Sequence, residues 1–145
     1  MLLELIATLC TGLFAGAAIY VNLVEHPARL ECGTAAALQQ WRPSYARATV
    51  MQASLAIVGL LAALGAWAAG RGAPVLVAGL LLGSVVPLTL VVIFPTNKQL
   101  LAPTLDAASP RAAELLARWN RLHAVRSGAA LLALVILLLH LGGLV

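Results

Sequence analysis

Two short polar segments stand out in a chain that is otherwise almost entirely apolar. Residues 22–28 contain Glu25 and His26, and residues 119–126 contain His123. Each segment lies where a long apolar stretch meets polar sequence. Histidine, carboxylate, amide and guanidinium groups are costly inside a membrane, and those retained there commonly serve function. We therefore expect these two segments to hold the functional site.

One chemistry that these residue types allow is general base catalysis. His26 or His123 could take a proton from an acidic C–H group or from a phenol. The resulting anion would need hydrogen-bond donors or positive charge nearby. Those groups are available at the same end of the predicted spans, as Arg126, Lys98, Asn22 and Asn97.

A metal site is the alternative chemistry. His26, His123 and Glu25 could bind an ion as two imidazoles and one carboxylate. However, Glu25 and His26 are adjacent, and consecutive side chains on a helix point in different directions. No HxxxH, ExxH or CxxC spacing occurs. The metal assignment therefore rests on residue types rather than on spacing.

A pocket suited to a flat aromatic molecule is predicted beside the histidines. Tyr45 and Gln52 are seven residues apart and share a helix face. The residues expected to bind substrate are Trp41, Tyr45, Gln52, Trp119 and Asn22. Several candidates also have a purely structural interpretation. Tryptophan and tyrosine concentrate at membrane interfaces, Lys98 and Arg47 could extend their charged groups towards water, and Asn22 could join helices.

The composition identifies the class of protein in which these groups must be positioned. Of the 145 residues, 62% are hydrophobic and 10% are charged, whereas soluble domains have about 45–50% apolar and about 25% charged residues. The mean hydropathy is +0.99. We predict a single integral membrane domain over residues 1–145. The net charge of +4 comes from scattered basic residues, not from a nucleic-acid-binding arm, so no nucleic acid partner is expected.

Four apolar stretches predict an all-α, four-helix membrane bundle. Ser109 and Pro110 predict the start of a helix that continues into the fourth span and projects beyond the membrane. One side of this helix is expected to face the bundle, and it bears Ala112, Leu115, Leu116, Trp119, His123 and Arg126. The opposite side bears Arg111, Glu114, Arg118 and Arg121. Glu114 and Arg118 are expected to form an ion pair there. The predicted spans are residues 2–24, 48–69, 75–94 and 127–145.

The breaks between these helices are predicted from proline and glycine. Pro27 should end the first helix, a second helix should start at Pro43, and Pro87 should kink the third. Residues 34–41 are expected to form a short interfacial helix, residues 70–74 a tight turn and residues 98–108 a loop. His140 has no polar neighbour in the sequence and is expected to be structural.

Lysine and arginine predict the orientation of the bundle. All except Arg71 lie on one side, which places the large connectors in the cytoplasm and the termini outside, in a bacterial-type inner or plasma membrane. The pairs Gly12/Gly16 and Gly79/Gly83 predict close helix packing within the chain, with a homodimer as the alternative.

The motifs together resemble the anthrone-oxygenase-like family of small four-helix membrane proteins. The resemblance covers nearly the whole chain in order. It rests on residues 25–28, on Trp41, Tyr45-Ala46-Arg47 and Gln52, on residues 95–98, and on Trp119, His123 and Arg126. A few fungal relatives are associated with oxidation of polyketide anthrones to anthraquinones. By resemblance, His26 and His123 are catalytic or metal-binding, with Glu25, Asn22, Asn97 and Arg126 in support.

This resemblance implies a membrane oxygenase acting on a lipophilic, aromatic substrate. An anthrone carbanion can pass an electron to dioxygen without flavin or haem. No nucleotide-binding fingerprint is present, so neither flavin nor NAD is expected, while a metal ion stays open. The alternatives are a non-enzymatic metal-, haem- or lipid-binding membrane protein and, less favoured, a small transporter. The expected partners are the lipid bilayer and a lipophilic small molecule.

Overall fold

Four long helices account for most of the chain in the computed structural model, which describes residues 1–145. They are α1 (Leu2–Glu31), α2 (Thr34–Ala68), α3 (Ala73–Leu101) and α4 (Pro110–Leu141). Each is long and apolar enough to cross a membrane, and no strand is present. The prediction of an all-α membrane protein with four candidate spans is therefore confirmed.

The helices are arranged so that each packs against its neighbours in the chain. α1 contacts α2 and α4, and α3 also contacts α2 and α4. Short connections make sequential helices antiparallel. As a result, residues 22–31, 34–45, 93–101 and 110–126 meet at one end, which we call the basic end. The opposite end is called the far end.

Two separate cores hold the helices together. The core towards the far end consists largely of small residues and includes Ala63 and Ala78. There α3 approaches α2 so closely that a Cβ atom added at Gly79 would lie 2.5 Å from the Cβ of Ala63. The core at the basic end contains larger side chains, including Trp41, Leu116 and Trp119. Gly79 thus serves packing within the chain, as predicted.

π-Helical turns carry α1 and α3 past prolines. Residues Val21–Glu25 form such a turn in α1, and residues Thr89–Ile93 form one in α3. Each turn ends two residues before a proline, Pro27 or Pro95. A proline ring clashes with the carbonyl four residues earlier, and the wider turn accommodates that clash. The prediction that Pro27 ends the first helix is therefore wrong, because α1 continues to Glu31.

Other helix boundaries also differ from those predicted. The interfacial helix expected at residues 34–41 is the beginning of α2, which passes through Pro43 without interruption. α3 continues to Leu101, so the loop is shorter than expected. α4 begins after the Ser109 cap as predicted, but it ends at Leu141. Gly70 and Gly72 adopt φ of 80° and 95° in the predicted turn between α2 and α3.

A polar cluster at the far end was missed because its members are distant in sequence. The carboxylate of buried Glu4 forms an ion pair with Arg71, at 2.9 Å from Nε, and contacts His140 Nε2 at 3.0 Å. The expectation that His140 lacks polar neighbours is therefore wrong. The cluster joins α1, the turn after α2 and α4, so its role in holding the helices together remains structural.

Candidate functional site

A cavity lies between the two cores, inside the basic half of the bundle. Its empty volume, including the mouth, is about 740 Å³. Side chains from all four helices line it, and most are apolar or aromatic. Ligand sites generally combine such a lining with a few placed polar groups. The polar and aromatic groups in the wall are Phe14, Arg29, Trp41, Ser44, Tyr45, Thr49, Gln52, Thr89, Trp119, His123 and Arg126.

Three aromatic rings form one side of the cavity. Trp41 and Tyr45 stack with centroids 4.9 Å apart and planes 7° from parallel. Trp119 meets Trp41 edge-on, with centroids 5.6 Å apart and an angle of 85°. Both tryptophans are buried. Such packing gives a rigid aromatic wall suited to an aromatic ligand, rather than an interfacial belt facing lipid headgroups.

His123 is held at the cavity by Asn22, across the interface between α1 and α4. The Nδ1 atom of His123 lies 2.9 Å from Asn22 Oδ1. The Nδ2 group of Asn22 donates to the Asn120 carbonyl at 3.0 Å and to its Oδ1 at 2.7 Å. Because a carbonyl only accepts, this contact orients the amide with its oxygen towards His123. His123 must then carry its proton on Nδ1, which leaves Nε2 as an unprotonated acceptor.

Arg126 lies beside His123 and has no acidic partner. Its Nη2 group donates to Gln52 Oε1 at 3.0 Å, and its guanidinium carbon lies 5.4 Å from the centre of the Phe14 ring. Both of these neighbours also line the cavity. The positive charge is thus positioned by neutral groups, and it remains available to a negative charge in the cavity.

His26 is buried behind the aromatic wall and does not line the cavity. Its ring centroid lies 5.2 Å from that of Trp119, and the ring centroid of His123 lies 4.7 Å from that of the same tryptophan. Trp119 therefore contacts both imidazoles. The Leu116 carbonyl lies near His26, but neither ring nitrogen completes a hydrogen bond.

Glu25 is engaged by neighbouring side chains. Its Oε1 atom accepts from Arg29, from Gln40 at 2.9 Å and from Ser44 at 3.1 Å. No group of three or more histidine, cysteine, aspartate or glutamate side chains has metal-binding geometry. The predicted set of His26, His123 and Glu25 is therefore not assembled as a metal centre in this structure, and the metal assignment stays a prediction.

The remaining predicted residues take different positions. Asn97 is buried outside the cavity wall and donates to the Tyr45 hydroxyl at 3.2 Å. Lys98 is exposed and does not line the cavity. Asn22 contacts His123 rather than the cavity itself. The structure thus brings six predicted residues together in the wall, namely Trp41, Tyr45, Gln52, Trp119, His123 and Arg126.

Arg29 is the most important lining residue that the sequence patterns did not predict. It is buried and lines the cavity. Its position three residues after His26 would have placed both on one helix face, had the helix been predicted to pass Pro27. Ser127 was also missed, although it follows His123 by one helical turn. Its hydroxyl donates to Asn22 Oδ1 at 2.5 Å.

Comparison with known proteins agrees with the resemblance. The family model described as anthrone oxygenase matches residues 41–136, well over half of the chain. The matched region includes the six predicted residues in the cavity wall, whereas Asn22, His26 and Arg29 precede it. Neither the curated proteins nor the solved structures gave a match. The length of the family match shows that this chain belongs to the anthrone oxygenase family.

Proposed function

We propose that the protein is a membrane oxygenase that converts a lipophilic anthrone-like substrate to the corresponding quinone. The observation that carries this proposal is the arrangement of His123, Asn22 and Arg126. It sets an unprotonated imidazole nitrogen and an unpaired guanidinium beside an aromatic wall. A base, an anion-stabilising group and an aromatic slot are what this reaction needs.

The first step is proton transfer from carbon to His123. The Nε2 atom takes a proton from the acidic CH₂ group of the anthrone, and the electron pair of that C–H bond spreads over the rings to the carbonyl oxygen. Arg126 stabilises the negative charge that develops there. Asn22 accepts the Nδ1–H bond throughout, so the ring keeps its orientation as it becomes an imidazolium.

Dioxygen then reacts with the carbanion. One electron passes to dioxygen, and the resulting superoxide and carbon radical combine to form a C–O bond. The peroxide takes the proton back from His123. Loss of the second hydrogen from that carbon, together with cleavage of the O–O bond, releases water and leaves a carbonyl group. The balance is one anthrone and one dioxygen to one anthraquinone and one water, with no external reductant.

The sequence-based assignments divide into two groups in this proposal. His123 is the base, and the cavity residues bind the substrate. His26, which lies behind Trp119, supports the position of that ring. We derive no step through a metal ion, and elemental analysis of the purified protein tests the metal prediction separately.

A lateral route from the bilayer fits a lipophilic substrate. Thr49 on α2 and Leu90 on α3 both line the cavity and are exposed on the outside of the bundle. The mouth between them faces the region that lipid would occupy. We further propose that the basic end lies in the cytoplasm, as the distribution of lysine and arginine predicts, and that residues 1–145 act as one domain.

Oxygen uptake with anthrone as substrate tests this function. We expect the His123→Ala variant to lose at least about 100-fold in rate, since a positioned general base contributes about 10²–10⁴-fold. His140→Gln is the matched control, because it alters a histidine on the same helix at the far end, and it should keep the wild-type rate. Equal uptake by wild type and His123→Ala would contradict the assignment. Binding of anthrone without any turnover would favour a carrier instead.

A further inference from the structure

The cavity wall contains two guanidinium groups and no carboxylate. Arg29 comes from α1 and Arg126 from α4, and no aspartate or glutamate is among the lining residues. Burying a charge that is not fully paired is unfavourable. A cavity with this wall therefore favours a negatively charged occupant over a neutral one of the same shape.

The two guanidinium groups are compensated differently by the protein. Arg126 pairs only with the neutral amide of Gln52. Arg29 contacts Glu25 through Nη2, and the same carboxylate oxygen is shared with Gln40 and Ser44. Glu25 therefore offsets the charge of Arg29 only, and Arg126 is left as an uncompensated positive charge in the cavity wall.

Arg29, which is one of the lining residues, has unused hydrogen-bonding capacity. Its side chain is 4% exposed, and its Nε and Nη1 atoms are buried without a hydrogen-bond partner. Buried donors left without a partner are destabilising, and more so when the group is charged. A guanidinium offers paired N–H groups that match the two oxygens of a carboxylate. The unused donors therefore fit an oxyanion of the ligand.

We infer that the ligand carries a standing negative charge, as a carboxylate or ionised phenol on its aromatic ring system, and that Arg29 binds this group. The aromatic character of the ligand rests on the proposed function and on the wall formed by Trp41, Tyr45 and Trp119. Arg126 remains with the charge that develops at the reacting carbonyl. The two cations thus have separate tasks, one for recognition and one for the reaction.

Paired fluorescent ligands test the inference without turnover. The probes are anthracene-2-carboxylate and anthracene-2-carboxamide, which have nearly the same size and lack an acidic CH₂ group. Quenching of tryptophan fluorescence in a non-ionic detergent measures their Kd values. The background variant is Trp67→Phe, because Trp67 is 48% exposed at the far end and the chain's other two tryptophans line the cavity.

The carboxylate should bind at least tenfold more tightly than the amide in this background. The double variant Glu25→Gln/Arg29→Gln, which leaves no carboxylate unpaired, should reduce the preference to less than threefold. Arg29→Lys should retain part of it. Arg121→Gln is the matched control, since Arg121 is exposed at the same end, and it should keep the full preference.

Equal binding of the two probes in the background variant would overturn the inference, as would an undiminished preference in the double variant. Oxygen uptake with anthrone is independent of this outcome. A charge preference without oxygen uptake would reject the proposed oxygenase function and retain the anion subsite. Oxygen uptake without a charge preference would reject the anion subsite and retain the proposed oxygenase function.

Discussion

At the scale of single residues, the orientation of one imidazole depends on an amide from another helix. Asn22 accepts from His123 Nδ1, while Asn120 and Ser127 hold the amide in turn. A partner that fixes the tautomer of a functional histidine is commonly worth about 10–100-fold in activity. In the proposed function Asn22 is therefore a positioning residue, rather than the substrate-binding residue predicted from its sequence context.

Replacing Asn22 should change the tautomer of the His123 imidazole more than it changes substrate binding. We expect Asn22→Ala to lower kcat for anthrone about 10–100-fold, with a smaller change in KM, because the proton of His123 is no longer held on Nδ1. Nitrogen-15 NMR of labelled histidine would report the tautomer directly. Ser127→Ala is the control, since it removes a contact to the same oxygen without touching the ring. An unchanged tautomer in Asn22→Ala would contradict the positioning role.

Which site residues could be predicted depended on whether their helix was predicted correctly. The α4 face bearing Trp119, His123 and Arg126 was predicted from helical spacing, and all three reach the cavity. The opposite face is exposed as expected, although Glu114 pairs with Arg111 at 3.3 Å rather than with Arg118. Arg29 was missed because it lies beyond Pro27, where spacing was no longer applied.

At the scale of helices, the π-helical turn in α1 sets which groups face the bundle. One extra residue in a turn shifts every later side chain by about 100° around the axis, since a helix has about 3.6 residues per turn. His26 and Arg29 follow this turn and point inward, whereas Asn22 lies within it. Sequence patterns readily predict that such a helix exists. They do not predict the π-helical turn, because it results from a local clash between a proline ring and one carbonyl, which hydrophobic periodicity does not reveal.

Removing one residue from the turn should move His26 and Arg29, which follow it, while leaving Asn22 in place. Leu23 lies within Val21–Glu25 and is 73% exposed. Deleting it should restore an ordinary helical turn, rotating Arg29 away from the cavity and His26 away from Trp119. We expect oxygen uptake to fall at least tenfold, measured in parallel with far-UV circular dichroism to show that the helices persist.

The substitution Leu23→Ala is the control for the deletion. It keeps the residue count and changes only a side chain on the outer surface, so it should retain the wild-type rate. A deletion variant with normal oxygen uptake would mean that the register of α1 after residue 22 does not matter to the site.

At the scale of the whole molecule, the two ends of the bundle are built differently. Small residues bring the helices close together at the far end, whereas bulky aromatic groups hold them further apart around the cavity. The total number of spans was predictable from hydropathy. The cavity between the two cores was not, because it depends on side chains that come from all four helices and are distant in sequence.

Added volume should be tolerated only where the helices are not in contact. Gly79→Ala would place its Cβ atom 2.5 Å from that of Ala63, and overpacking of this kind costs about 1–3 kcal/mol. Gly16 has no atom within 4 Å of the added Cβ, so Gly16→Ala should leave stability unchanged or raised. Thermal unfolding in detergent, followed by circular dichroism, compares the two variants.

Equal unfolding midpoints for wild type and Gly79→Ala would contradict the close packing of α2 and α3. A loss of stability in Gly16→Ala, accompanied by a fall in molecular mass in solution, would instead support the homodimer alternative.

The position of the cavity mouth has a consequence for substrate entry and product release. The inner limit of the cavity is the small-residue core, which includes Ala56 and Val85 from its own wall, so no second opening lies in that direction. In the proposed function, the substrate and the quinone product both pass through the mouth between Thr49 and Leu90. Slow release of the quinone would then block binding of the next substrate molecule. Partition of the quinone into the surrounding lipid would therefore help to determine the turnover rate.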